Sequence, residues 1–253
     1  MTPGTTSPKA KPQPSSGSSG SKSAKTRSKP KYTLTYFDTI GHAQATRYMF
    51  ALAGVDFDDR RVSEAEWRRI QRTVPLEQLP VLEVEGMGAL HQSVCIDRFV
   101  AKQLGFYGKT DVEAAQIDQI HTTIAEAGRL VMPFVQNMFA TSPSDVQPVA
   151  VGLDTEEGVE KLRTHLPRYL NFLNSQVVAN ETVNGQDAEG VYFVGTSLSL
   201  ADIYWACAWE IATELDTENT LLEDYPKLFN LAKRVSKLPA IQEYKRQHAE
   251  DHP

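Results

Sequence analysis

Gln78-Leu79-Pro80-Val81-Leu82-Glu83-Val84 is the stretch on which the fold turns. Pro80 has no amide hydrogen to give to a sheet ladder, yet a strand pattern begins immediately behind it, so the proline marks a strand entry and not a strand interior. Beyond Val84 the run Glu85–Gly88 reads as a turn, and Ala89 and Leu90 return as the partner of a hairpin. Upstream, Tyr32-Thr33-Leu34-Thr35-Tyr36-Phe37 reads as a strand and Asp38–Gly41 as a short loop. Ala43–Ala53 reads as a helix with Ala45, Tyr48, Met49 and Leu52 inward, stopped at Gly54. Val55–Val62 reads as a second strand, more weakly patterned, and Glu64–Arg72 as a short polar helix. Downstream of the hairpin, Ser93 is placed to cap a helix that turns Ile96, Phe99, Val100 and Leu104 inward and stops at Gly105.

After Gly105–Thr110, which reads as a linker, strand patterns give way to long helices, as at a domain boundary. Ile117, Ile120, Ile124, Ala127, Val131, Phe134 and Met138 alternate spacings of three and four, so one long helix carries a continuous buried stripe, with Pro133 placed to kink it. A Ser/Pro loop at Thr141–Pro148 leads to a second long helix with Leu162, Leu166, Leu170, Leu173 and Val177 inward. Asn180–Gly190 reads as a polar loop. Ser199–Asp202 is a Ser-x-x-Asp helix start, opening an apolar helix through Tyr204, Trp205, Cys207 and Trp209 that belongs in the core. Pro226 and Pro239 open two short final helices. The chain thus divides into 1–30, a Ser/Pro/Lys-rich tail without acidic residues that reads as disordered; 31–104, an α/β unit; and 111–253, an all-helical unit. The tail has the Ser-rich, acid-free composition of a transit peptide but not its apolar face, so a solvated tail is the expectation.

Composition narrows the function. Of 253 residues, 41% are hydrophobic and 23% charged, ordinary for a soluble globular protein. No stretch approaches the ~18 apolar residues of a membrane span, and no apolar run of a secretory signal is present, so no membrane role is expected. The net charge of −6 argues against nucleic acid as a partner. Cys95 and Cys207, far apart, exclude a disulfide framework and fit a reducing, cytoplasmic setting. Both read as small buried residues.

The order and spacing of several strings over Tyr32 to about Arg246 resemble the glutathione transferase superfamily, closest to its sigma class. The strings are Tyr32–Phe37, Phe50-Ala51-Leu52-Ala53-Gly54-Val55, Glu66-Trp67, Gln78–Val84, Gln92-Ser93 and Gly195–Asp202. The resemblance implies a thioredoxin-like N-terminal domain followed by an all-helical one. It also implies a homodimer that takes glutathione as co-substrate, a small hydrophobic electrophile as second substrate, and neither metal nor further cofactor. A free thiol with a pKa near 8.5 is only a few per cent ionised at neutral pH, so such an enzyme must stabilise the thiolate, and a phenol at the end of the first strand can do so by hydrogen bonding. Pattern alone reads Tyr36 as a packed strand tyrosine; the resemblance makes it the residue that activates the thiol. Tyr32, on the same strand face, is expected to be structural.

The resemblance carries further positions over. Gln92 and Ser93 would hold the γ-glutamyl carboxylate at a helix N-terminus, whose free N–H groups and dipole favour an anion. Leu79 would pair its backbone with the cysteinyl part beside the cis Pro80, Trp67 and Gln78 would line the glycyl end, and Gln71 would be a further glutathione contact. Glu126 would reach the partner subunit's glutathione. The loop after Tyr36 departs from the family: Ile40-Gly41-His42-Ala43-Gln44 stands where the sigma class carries Arg-Gly-Arg-Ala-Glu, leaving His42 as a partial substitute. Glu77 stands for a usual glycine and Gln71 for a frequent lysine. No cysteine occurs between 31 and 50, which excludes the cysteine-type members. The electrophile pocket is expected between Phe37–Ile40 and Pro133–Met138. The rival reading is a non-catalytic binding or structural member, as the lens crystallins of this family are.

Overall fold

The computed structural model describes Met1 and residues 32–138, 156–185, 190–215 and 222–249, with the side chains of 132–138 and a few residues at helix ends left aside. The expectations for the tail and for the Thr141–Pro148 loop fall outside these residues. So does the side-chain effect expected of Pro133.

Four strands form one mixed sheet in the order β2-β1-β3-β4: β1 (Tyr32–Phe37), β2 (Asp58–Val62), β3 (Val81–Val84) and β4 (Gly88–His91). β1 runs parallel to β2 and antiparallel to β3, and β3 antiparallel to β4. β2 starts at Asp58, not at Val55. In the parallel register Thr33 faces Asp58, and since β1 itself begins at Tyr32, residues before this point have almost no strand to pair with. The parallel pair is connected by helix α1 (Gln44–Ala53), the crossover such strands require. At its end Gly54 adopts φ 60°, which lets the Val55 N–H reach back to the Phe50 carbonyl at 3.0 Å. Helix α2 (Glu64–Ile70) is capped by Ser63, whose hydroxyl accepts from the Glu66 N–H, and two 3-10 turns lead on to Pro80. Helix α3 (Ser93–Leu104) closes the unit and stops at Gly105, φ 85°.

The remainder is helical: α4 (Asp111–Met138), α5 (Glu156–Asn184), α6 (Leu200–Leu215), α7 (Pro226–Ser236) and α8 (Pro239–Ala249). Ile117, Ile120, Ile124 and Ala127 of α4 are buried, as are Leu166, Leu170, Leu173 and Val177 of α5, so both stripes face the core. α5 runs through Asn184, consuming much of the segment that reads as a polar loop. Asn180 stays helical because its side-chain amide donates to the carbonyls of Tyr192 and Gly195, at 2.9 and 2.8 Å, tying the helix end to the chain ahead of α6.

Helix α6 is central, packing against α1, α3, α4 and α7. Its start is a buried acid cap: Asp202 accepts from the Ser199 N–H and hydroxyl and from the Phe193 N–H, at 2.8, 2.7 and 2.8 Å. Trp205 lies in the core with its indole N–H on the Leu228 carbonyl. Polar links join the two halves: the Tyr48 hydroxyl donates to Glu210, Arg61 to the Tyr244 hydroxyl, and the Leu200 N–H to the Phe106 carbonyl. Cys207 is buried as expected, but Cys95 is exposed. α3 turns Ile96, Asp97, Val100 and Ala101 inward, and Cys95 falls on its outer face.

Candidate functional site

One end of the sheet collects most of the residues singled out from the sequence. β1 ends at Phe37, β3 begins at Val81 opposite Thr35, and β4 ends at His91 opposite Val81. Tyr36, the Leu79-Pro80 turn and Gln92 therefore emerge side by side. β2 ends at the same edge and delivers α2, whose Trp67 meets Phe37 edge-on at 5.9 Å, while Phe37 meets Tyr36 at 5.6 Å. The Leu79-Pro80 peptide bond is cis. The Gln92 side-chain amide donates to the Gln78 side-chain oxygen at 3.3 Å, which joins the two predicted glutamines.

Tyr36 is buried, and its hydroxyl oxygen accepts the His42 N–H at 3.2 Å. That bond occupies the oxygen from the chain side and leaves the phenolic proton to be donated outward. Burial pushes the phenol up from 10, opposed by the His42 N–H and by the Arg47 guanidinium. Tyr36 is thus a neutral donor at physiological pH, which is the form able to stabilise an anion in front of it. The turn over it depends on Gly41: a Cβ there would stand 2.8 Å from the Tyr36 hydroxyl, closer than side chains approach. Tyr32, by contrast, packs its ring on Phe50 at 5.0 Å inside the core.

The loop without family arginines is not without a cation. Arg47, one turn into α1 and only 1% exposed, places its guanidinium 5.7 Å from the centre of the Tyr36 ring. It is held by Asp59 at 3.0 Å and by the carbonyls of Thr39 and Phe37 at 3.0 and 3.1 Å. Sequence reasoning missed it; the available signal was a lone arginine among Ala45, Tyr48 and Met49 on the apolar face of a helix. His42 has an exposed side chain packed on its inner side. That packing lowers its imidazole from 6.5, and Asp97 raises it less.

The α3 terminus differs from expectation in one detail. Gln92, not Ser93, is the cap residue: its carbonyl receives the N–H groups of Cys95 and Ile96, and no side-chain cap bond forms. Ser93 is the first helical residue. Gln92 adopts φ 71°, and Leu76 and Glu77 adopt 61° and 49°, a region non-glycine residues seldom enter. Two sequence candidates stand apart. Gln71 caps α2 and forms no side-chain hydrogen bond with the other site residues. Glu126 lies on α4 and accepts the Tyr169 hydroxyl of α5 at 3.0 Å within its own chain.

A cavity of about 530 Å³ opens on the other face of the Asp38–Ile40 turn, between α1, α6 and α8, with Gln44, Tyr48, Trp209 and Tyr244 in its walls; Tyr36 does not line it. The described residues include no group of three or more His, Cys, Asp or Glu side chains arranged for a metal.

Residues 146–248 match the family model described as glutathione S-transferase, C-terminal domain. Hematopoietic prostaglandin D synthase of Gallus gallus is 34% identical over 213 residues, covering 84% of this chain and 94% of that protein. S-crystallin 3 of Enteroctopus dofleini is 29% identical over 220 residues, covering 85% and 95%. Among solved structures, the monomeric glutathione S-transferase Na-GST-3 of Necator americanus superposes with TM-score 0.67 at 32% identity, covering 88% of this chain and 98% of that one. A thioredoxin-like sheet unit and a following helical half, together with these matches, define the class: the chain belongs to the glutathione S-transferase family, whose co-substrate is glutathione. Within the family it is sigma-like.

Proposed function

We propose that the chain is a glutathione transferase in which the Tyr36 hydroxyl, keeping its proton, donates a hydrogen bond to the sulfur of bound glutathione and so favours the thiolate. The observation that carries this is the Tyr36 hydroxyl itself: buried, kept neutral by burial, and bonded on its oxygen by the His42 N–H so that its proton is free for an outward acceptor. With the thiol proton released to solvent, the thiolate attacks an electrophilic carbon of a small apolar substrate, and the leaving group departs with the bonding pair. The γ-glutamyl carboxylate would sit at the α3 terminus on the N–H groups around Gln92 and Ser93. Leu79, at the cis Pro80, would pair its backbone with the cysteinyl segment, while Trp67, Gln71, Gln78 and His42 frame the rest. Residues 31–104 would hold glutathione, and 111–253 would supply the electrophile pocket, between the Phe37–Ile40 turn and the far part of α4.

The proposal includes a cytoplasmic homodimer in which Glu126 extends to the partner's glutathione; its hold on Tyr169 would have to be shared or released for this. The prostaglandin D synthase relatives favour isomerisation as a second use of the same thiolate. A second reading, a non-catalytic binding or structural protein, draws on the S-crystallin match and on the Ile40-Gly41-His42 turn. Retention on immobilised glutathione followed by conjugation of a chlorodinitrobenzene separates the readings. Retention with turnover supports the enzyme and retention without turnover the structural protein. No retention and no turnover refutes the enzyme.

A further inference from the structure

Behind the Tyr36 end of the site lies a buried polar cluster that the family reading does not use. Asp97 stands in α3 one helical turn after Ser93, and Thr46 stands in α1 one turn after His42. Their side chains meet: the Thr46 hydroxyl donates to Asp97 Oδ1 at 2.6 Å, with Thr46 1% and Asp97 0% exposed. From the helical half, the enclosed His121 of α4 brings Nε2 to 3.4 Å from Asp97 Oδ2, and Tyr204 of α6 sets its ring edge-on to the imidazole with centroids 4.3 Å apart. Asp97 Oδ2 and both ring nitrogens of His121 have no hydrogen bond of normal geometry.

A carboxylate and an imidazole sealed between four helices are costly, since apolar side chains of the same volume would fill the space without desolvating polar atoms. What the cluster joins gives it a role. One turn above Thr46 is the turn bonded to the Tyr36 hydroxyl; one turn above Asp97 is the α3 terminus with Gln92 and Ser93. We propose that Asp97 is a positioning residue which, through Thr46 and His121, locks the His42 turn and the α3 terminus to each other and to α4, fixing the distance between the thiol end and the γ-glutamyl end of bound glutathione. This rests on the glutathione reading above. The groups around Asp97 are Thr46 of α1, His42 of the turn, His121 of α4, and Tyr204 and Cys207 of α6. Its charge reaches several of them, raising the imidazole of His42 against the effect of packing and adding to the rise of the Tyr204 phenol and the Cys207 thiol.

The test uses the full chain with Asp97→Asn, which keeps the shape and removes the charge, and Thr46→Val, which keeps the charge and removes the donor. Reduced glutathione is titrated calorimetrically, and the His42 imidazole is followed by NMR, its signal identified by its loss in His42→Gln. Both variants are expected to bind glutathione on the order of tenfold more weakly while remaining folded. Asp97→Asn is also expected to lower the His42 midpoint, which a merely structural contact would not move. Affinities within twofold of wild type in both variants, or a His42 midpoint unmoved in Asp97→Asn, overturn the role of Asp97. A wild-type chain that binds no glutathione overturns the site assignment itself and this role with it.

Discussion

Replacing Asp202 by alanine tests how the central helix is anchored. The carboxylate is fully enclosed and takes three donors at the start of α6, two backbone N–H groups and the Ser199 hydroxyl. Burial pushes the carboxyl up to about 6, with the three donors pulling the other way, so at about pH 8 it is ionised and all three bonds are made to an anion. Alanine leaves the N–H groups of Phe193 and Ser199 sealed without acceptors, each costing about 1–3 kcal/mol, while the freed serine hydroxyl can reorient. The expected loss is therefore about 3–5 kcal/mol, a large share of the roughly 5–15 kcal/mol by which folded proteins exceed their unfolded states. Ser199→Ala removes the hydroxyl alone and should cost about 1 kcal/mol. Urea unfolding at about pH 8, followed by tryptophan fluorescence and extrapolated linearly, measures both. If Asp202→Ala costs less than about 1 kcal/mol, or no more than Ser199→Ala, the reasoning that this cap holds α6 in the core is refuted.

Arg47→Met should destabilise the chain by about 2–4 kcal/mol, because it takes the donor from Asp59 Oδ1 and from the carbonyls of Phe37 and Thr39, while Asp59 Oδ2 keeps Arg61; chemical unfolding checks this, and Arg47→Lys should recover only part of the loss. Gly41→Ala should displace the Tyr36 hydroxyl, since the added carbon would lie 2.8 Å from it. Conjugation rate should fall on the order of tenfold or more with little change in Tm, as misplacing a catalytic group by a fraction of an ångström does.

Much of this molecule was legible in the sequence, and the parts that were not share a cause. β1, β3, the Leu79-Pro80 turn and the Ser199–Asp202 cap were readable because each is determined within a few residues by strand pattern, a proline or a side chain reaching its own backbone. β2 was read too long because its length is set by where β1 begins, in another part of the chain. The end of α5 was missed because the bonds that keep Asn180 helical come from Tyr192 and Gly195. In the site, Tyr36, Gln78 and Gln92 were nameable from the resemblance, and they do gather at one end of the sheet. Arg47, Asp97 and His121 were not nameable. Charged and imidazole side chains are ordinarily expected at the surface. Their burial here follows from partners 12 residues away for Arg47 and, for Asp97, 51 residues away on α1 and across the helical half on α4.

The central claim is that Tyr36 stabilises the glutathione thiolate, and the ultraviolet absorbance of the bound thiolate, titrated with pH in wild type and in Tyr36→Phe, tests it most directly. One lost hydrogen bond to an anion is worth about 1.5–3 kcal/mol, or roughly 1–2 pKa units. The account therefore predicts a bound-thiol midpoint below that of free glutathione in the wild type, and raised by roughly 1–2 units in Tyr36→Phe with glutathione affinity nearly kept. An unshifted midpoint in Tyr36→Phe, with conjugation as fast as wild type, would contradict it.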